Sequence, residues 1–403
     1  MFLENTNKLT LSELISCPQH KLHKLIRFCA SYSLWPWFAV CISLCITFFF
    51  WRPDYRLWGD LLTSPYGNAL KWWLENPFSK VPVECFFDAK DLVDGGHYYG
   101  CASHCDKLTF RAFIPYLHTI FPFGLWTLLI SSHLAGIFIF KLTYQYLFNE
   151  THDPVCATLG IWSLAATYAG GWAFHDFYFG DAIAVALLLA ALIQRNAFLC
   201  GILIFFAMIT DERAFIAAPF VAVSQFLKEA YYTKSYRHII LRLIQSSALK
   251  SLSMAVGVYI LLRGYFVFFK QINIGSTMFC DIDIIRHRIY TDYPYKIFTV
   301  FELLWILPII FLLYQFHQKK IFTMATLFYM CSCFGIIGVS FLVWDLERSL
   351  FYLLPAIIVP IVCLNVNSLR TLLGVCFVGN VLLFEPGHSL LVFIGATIST
   401  LVR

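Results

Sequence analysis

The chain has 403 residues, of which 59% are hydrophobic and only 13% charged, with a formal net charge of +5. Mean hydropathy is +0.70, and soluble domains usually carry about 25% charged residues. Apolar runs long enough to span a bilayer recur along the chain. This excludes an ordinary soluble domain, and the absence of short alternating segments excludes a transmembrane barrel. The excess charge is modest and reads as loop charge. No basic stripe or nucleic-acid module accompanies it, so no nucleic-acid partner is expected.

Residues 1–31 form an N-terminal segment. Within it, "TLSELISCPQHKLHKLIRF" places Leu and Ile at near-helical spacing between Lys and His. That pattern suits a short interfacial helix, with a frayed tail as the alternative. About thirty mostly polar residues precede the first span and no small-residue cleavage site follows it, so the span is expected to stay as an anchor. Residues 32–403 then read as one membrane-embedded helical domain. The expected architecture is all-α and polytopic, with about twelve transmembrane helices. They fall near 32–51, 121–147, 154–174, 177–194, 196–210, 213–228, 249–268, 297–316, 320–343, 349–366, 370–384 and 388–402.

The positive-inside rule orients them. Lys8, Lys21, Lys24 and Arg27 precede the first span, and Lys228, Lys234, Arg237, Arg242 and Lys250 precede the seventh. His317, Lys319 and Lys320 precede the ninth, and Arg370 the eleventh. All fall on one side, taken as cytoplasmic together with the N-terminus. The opposite side collects the long first loop, 52–112, and nearly every acidic helix end: Asp54, Asp60, Asp176, Asp181, Asp211, Glu212, Asp345, Glu347 and Glu385. Any chemical face is therefore the extracytoplasmic one.

The first loop opens "WRPDYRLWGD", placing Asp54 and Asp60 just after the first span, and continues with many aromatics, including Trp72 and Trp73. Short amphipathic helices at the membrane surface are expected there. A helical membrane bundle with a long first extracytoplasmic loop and an Asp directly after the first span resembles the GT-C superfamily of glycosyltransferases. The resemblance covers the general architecture, and its motif is short. It implies a sugar donor linked to a polyprenyl phosphate and a lipid or glycan acceptor. The expected setting is a multi-pass protein of the bacterial inner membrane, with membrane lipids around it. The resemblance also implies that Asp54, with Asp60 as substitute, acts as base or metal ligand. A divalent cation is the one cofactor it brings in, and the chain departs from the pattern there: "RPDYRLWGD" has no D-x-D or E-x-D pair. No metal ligand is assigned.

The chemistry sets three requirements. An acceptor hydroxyl needs a base, an oxocarbenium-like state needs flanking carboxylates, and a lipid phosphate needs Arg or Lys. "FHDFYFGD" offers His175, Asp176 and Asp181 as substrate-binding candidates, with a helix cap and polar loop as the alternative. "MITDERAFIAAPFV" offers Asp211, Glu212 and Arg213. Thr210 or Asp211 can cap the following helix. Arg213 at a helix start is unfavourable unless it meets an anion: Asp211, Glu212 or a ligand phosphate. "WDLERS" repeats the pattern with Asp345, Glu347 and Arg348. Two such clusters on one face read as a polar cavity, or as internal ion pairs. Arg263, inside "YILLRGYFVFF", is the phosphate-binding candidate, with snorkelling as the alternative.

Fourteen cysteines are present, most in apolar spans where they act as small core groups. Cys85, Cys101, Cys105 and Cys280 lie in polar loops and read as a disulfide set with three connectivities. Zinc at "HYYGCASHC" fits no usual spacing. The rival functions are a secondary transporter of a small polar or anionic solute, which short interrupted helices would suit, and a scaffold protein held by structural ion pairs.

Overall fold

The structure, a computed structural model, describes residues 18–53, 55–79, 108–175, 180–232, 247–270, 293–317, 324–341 and 346–383. Among these residues all regular structure is helical. Helix α1 is Pro18–Cys29 and α2 is Trp35–Phe50. The first loop supplies α3 (Tyr55–Thr63) and α4 (Pro65–Glu75), followed by α5 (Phe113–Ile120) and α6 (Trp126–Thr151). Next come α7 (Pro154–Ala165), α8 (Tyr168–His175), α9 (Asp181–Ile193), α10 (Ala197–Thr210), α11 (Arg213–Ala217) and α12 (Pro219–Tyr232). The second half contains α13 (Ser247–Phe269), α14 (Tyr293–Phe301), α15 (Ile306–His317) and α16 (Met324–Phe341). It closes with α17 (Leu346–Leu350), α18 (Leu354–Ile358) and α19 (Val366–Leu383).

Among the described residues four stretches are long and apolar enough to cross a membrane: Trp126–Thr151, Leu249–Phe269, Lys296–His317 and Leu346–Cys363. Seven shorter apolar helices accompany them. A helix such as α10, with 14 residues, is about 21 Å long, short of a hydrocarbon core of about 30 Å. The expected span at 388–402 lies outside the described residues. The exterior is apolar as well: Leu34, Leu261, Phe268, Phe269 and Phe316 are each at least 70% exposed. Water-facing surfaces rarely gather such residues, and with the four long apolar helices they make this a membrane protein.

The chemistry of the helix ends follows local rules. Ser64 caps α4 by accepting from the Gly67 N–H at 3.1 Å, with Pro65 at the first helical position. Asp153 caps α7 by accepting from the Cys156 N–H, again ahead of a proline. Asn196 accepts from the Phe198 and Leu199 N–H groups at the start of α10. Helices α3 and α4 make the described start of the first loop helical, as expected, but they are not merely laid on a surface. Trp58, Leu61, Leu70, Trp73 and Leu74 are buried, and α4 packs on α5. The amphipathic α1 packs against α7 and buries Ile26; residues 1–17 lie outside the described set.

The centre of the body is built by α6, α7, α9 and α10. Helix α9 lies between α6 and α10, α10 packs on α13, and α7 packs on α2, α6 and α19. Small residues allow this closeness: Ala182, Ala184, Ala186 and Ala191 of α9 are all buried. Two long stretches are broken. Glu302 has φ +47° and starts a 3-10 turn, Glu302–Trp305, between α14 and α15. Between α17 and α19 the chain alternates 3-10 and α turns around Pro355 and Pro360. Proline removes a donor and interrupts the helical ladder.

Gly180 positions the start of α9. Its φ is +77°, and a Cβ there would collide with Ile114 Cδ1 and stand 3.1 Å from Thr210 Cγ2. Gly124 also has positive φ, +60°, but open space around it. Alanine at Gly124 meets only the left-handed backbone penalty, about 1–2 kcal/mol. Alanine at Gly180 meets that penalty and a clash, so thermal unfolding of the detergent-solubilised variants should show a larger loss for Gly180→Ala than for Gly124→Ala.

Candidate functional site

Four stretches distant in sequence converge at one end of the bundle: residues 110–111, the start of α9, the turn 211–213 and α17. They bring together three carboxylates, Asp181, Asp211 and Glu212, and three guanidiniums, Arg111, Arg213 and Arg348. Asp181 and Asp211 are fully buried, and Arg348 is 3% exposed.

Asp181 is the hub. Its Oδ1 accepts from Arg213 Nη2 at 2.7 Å and from the Tyr352 hydroxyl at 2.9 Å, and its Oδ2 accepts from Arg348 Nε. It is the first residue of α9, where the helix dipole also favours an anion. Asp211 bridges the rest. Its Oδ1 accepts from the Arg213 backbone N–H at 2.9 Å and from Arg213 Nε at 2.8 Å. Its Oδ2 receives Arg213 Nη2 at 2.8 Å and lies 2.9 Å from Arg111 Nη2. Glu212 takes Arg111 in a two-pronged pair, Nε at 3.1 Å and Nη2 at 3.0 Å. Arg213 also donates to Ser349 Oγ at 3.2 Å and lies over the Tyr352 ring.

The arrangement answers the puzzle of a cation at a helix start. Arg213 meets two buried carboxylates, Asp181 and Asp211. The three acids and three guanidiniums cancel formally, and each guanidinium is committed to a carboxylate. Chemically, such a set holds helices in register. A charge left unpaired in the same place is costly.

Asp211 and Glu212 lie in the turn between α10 and α11. Burial pushes both carboxyl groups up, but the Arg111 and Arg213 guanidiniums outweigh it and hold Asp211 well below the usual carboxylate range. Glu212 is held at about 2 by the same balance, with Arg111 the main attraction and Asp211 opposing it. Burial likewise disfavours the Arg111 cation, and Asp211 and Glu212 more than reverse that.

Beside the cluster stands a cation of a different kind. Arg263 on α13 lies over the Phe110 ring at 4.5 Å and beside the Tyr259 ring at 5.5 Å. Its Nε is buried with no hydrogen-bond partner among the described residues, and neither has the buried hydroxyl of Tyr259. The two residues are four apart on one helix and share a face. Tyr259 in turn meets Phe215 of α11, with ring centroids 5.9 Å apart. Phe266 of α13 meets Phe110 and stacks on Phe78, with centroids 4.9 Å apart in the second pair. Both flanks of the first loop thus pack against the helix that carries Arg263.

The remaining candidates are spread. Glu347 pairs with Lys296 Nζ at 3.2 Å, part-exposed on both sides. His175 is half-buried at the end of α8. Asp60 falls on α3, with its side chain outside the described set, as are Asp54, Asp176 and Asp345 entirely. Cys85, Cys101, Cys105 and Cys280 also lie outside it, and the described cysteines are free thiols. Among the described residues no group of three His, Cys, Asp or Glu side chains could hold a metal ion. Sequence reading missed Arg111 and Tyr352. Arg111 sits in "LTFRAF", and nothing local ties it to a carboxylate 101 residues away. At the opposite end, Arg370 Nε pairs with Asp153 Oδ2 at 2.6 Å.

Comparison with family models, curated proteins and solved structures gives no match. The site's geometry therefore carries the functional argument.

Two predictions follow from the cluster. Arg111→Ala leaves Asp211 and Glu212 short of a partner, and breaking a buried pair costs about 3–5 kcal/mol; a lowered unfolding midpoint in detergent at neutral pH is the expected reading. The pH dependence has a definite sign. Glu212 is depressed in the folded state, so its contribution is full above its unfolded value of about 4.3 and is lost as pH falls toward about 2. Glu212→Gln should therefore be less stable than wild type at neutral pH, and the gap should close as pH falls through that window.

Proposed function

We propose that this protein is a membrane glycosyltransferase of GT-C-like architecture, multi-pass with about twelve spans. It takes sugar from a polyprenyl-phosphate-linked donor on the extracytoplasmic face of a bacterial inner membrane. The observation that carries the reading is the pair Arg263 and Tyr259: the Nε of half-buried Arg263 and the hydroxyl of buried Tyr259 are both buried and lack a partner among the described residues. A phosphate oxygen supplies what both lack, through charge-assisted hydrogen bonds.

The surroundings favour a lipid phosphate over a free one. Helix α13 exposes Leu261, Phe268 and Phe269, each more than 70% accessible. An isoprenoid chain could lie on that surface while its phosphate meets Arg263. Rings of Phe110 and Phe266 beside it offer apolar faces. In this reading the six-charge cluster is the frame that fixes Phe110, through Arg111, against α13. Arg213 and Arg348 are structural cations and Arg263 is the ligand-binding one. The catalytic carboxylate is Asp54, with Asp60 as substitute, acting as base toward a lipid or glycan acceptor. The charge sorting of the loops supports placing this end outside.

Binding of a polyprenyl phosphate to purified wild type, Arg263→Ala and Asp54→Asn tests the reading. Loss of a charged hydrogen bond is worth about 1.5–3 kcal/mol, so Arg263→Ala should bind roughly 10- to 100-fold more weakly. Asp54→Asn should bind normally but fail to transfer sugar. Wild type that ignores the lipid would defeat the proposal.

A further inference from the structure

One ionisable group belongs to neither the cluster nor the Arg263 site. Glu302 lies within the apolar stretch Lys296–His317, with only 2% of its surface accessible. Both of its carboxyl oxygens are buried and have no hydrogen-bond partner among the described residues. An ionised carboxylate needs donors at its lone pairs, and burying one without them is among the costliest arrangements in a protein.

The donors around it are engaged elsewhere. The Leu303 N–H donates to Asn380 Oδ1 at 3.0 Å, and the Asn380 amide donates to the Ser163 carbonyl at 3.1 Å and its hydroxyl at 3.3 Å. Trp305 Nε1 donates to the Ile297 carbonyl at 2.8 Å. Cys376 donates its thiol to the Leu303 carbonyl. The turn packs chiefly against α14, α15 and α19. The charged groups on those helices are Lys296, His317 and Arg370. Lys296 pairs with Glu347 and Arg370 with Asp153. His317 is fifteen residues along the chain from Glu302, roughly 22 Å at helical rise. Tyr293 and Tyr295 on α14 and Tyr314 on α15 complete the ionisable set with Cys376.

The backbone is committed to the placement. Glu302 adopts φ +47°, a conformation that a side chain other than that of Gly or Asn rarely takes, and it does so where the helix breaks. Broken helices with an ionisable group at the break are where membrane proteins place their small-ion sites.

We propose that Glu302 is a proton-binding site inside the apolar body, occupied by a proton in the folded protein. The carboxylic acid is neutral there and needs no counter-charge. Releasing the proton leaves a carboxylate with no hydrogen-bond partner among the described residues, in a turn whose Leu303 N–H is already held by Asn380. Ionisation therefore competes with the Leu303–Asn380–Ser163 tie that joins the turn to α19 and α7. The site is independent of lipid-phosphate binding and goes beyond that reading.

The test is chemical labelling of the full-length protein in lipid vesicles. A hydrophobic carbodiimide consumes protonated carboxyls in apolar surroundings: the acid adds across the reagent's C=N bond, and the adduct keeps both molecules. Peptide mass mapping should find it on Glu302, with yield falling as the medium becomes alkaline. A water-soluble carbodiimide should leave Glu302 untouched while reaching the part-exposed Glu347. Glu302→Gln should lose that adduct and keep its unfolding midpoint at or above wild type. No adduct on Glu302 at any pH, or equal labelling by the two reagents, overturns the proposal. Should Glu302→Gln fail to fold, the wild-type label and its pH dependence still decide.

Discussion

The fold depends on Asp181. It is a fully buried anion that starts α9, the helix lying between α6 and α10, and it takes hydrogen bonds from Arg213, Arg348 and Tyr352. Those partners come from the turn after α10 and from the broken stretch after α16, so one carboxylate ties the two halves of the chain. In an apolar body hydrophobic burial has little directional content. Helices surrounded by lipid gain as much from lipid tails as from each other, and association then falls to packing and polar contacts. The charge cluster supplies the direction. It fixes which helix ends meet and in what rotation, because each guanidinium fits its carboxylates in only one geometry.

That commitment makes the contrast with Arg263 informative. In sequence Arg213 reads as a cation at a helix start and Arg263 as an arginine inside a span, and both call for an anion. Arg213 is locked by Asp181 and Asp211; Arg263 rests against Phe110 and Tyr259, with its Nε unmatched among the described residues. A guanidinium held by aromatic faces keeps its charge available, since the ring attracts the cation without neutralising it. Coupling between the two sites runs through adjacent residues, Phe110 beneath Arg263 and Arg111 in the cluster. A change that loosens Arg111 would also move the ring on which Arg263 rests.

Much of the architecture was legible in the chain. The apolar runs, the helical first loop and the clustering of "TDERA" with "LERS" at one end all follow from patterning and from charge counted along the sequence. Arg213's need for an anion was also visible, because a cation at a helix start is unfavourable without one. What the sequence left open was whether that anion is a ligand or a side chain. Arg111 decides part of it, and its partners lie about a hundred residues away, beyond any local pattern. The continuity of the spans was harder still. Lys296–His317 reads as one apolar run, and only the backbone reveals the break at Glu302. That glutamate stood in plain view as the lone acid in the run. A solitary carboxyl in an apolar stretch carries no local pattern that marks it as a site.

The described ionisable groups thus meet the low-dielectric interior in three ways. The cluster cancels six charges against one another. Arg263 keeps its charge and shelters it on aromatic faces. Glu302 has neither a counter-ion nor a donor among the described residues, and the proposed protonation removes its charge. These solutions differ in what they leave available. A cancelled network leaves little charge to offer a ligand, because each carboxylate is already matched to a guanidinium. A sheltered cation can accept an anion, and a protonated carboxyl can give up a proton. Rigidity and reactivity are therefore separated within one apolar body, and the aromatic contact between residues 110 and 263 is where they join.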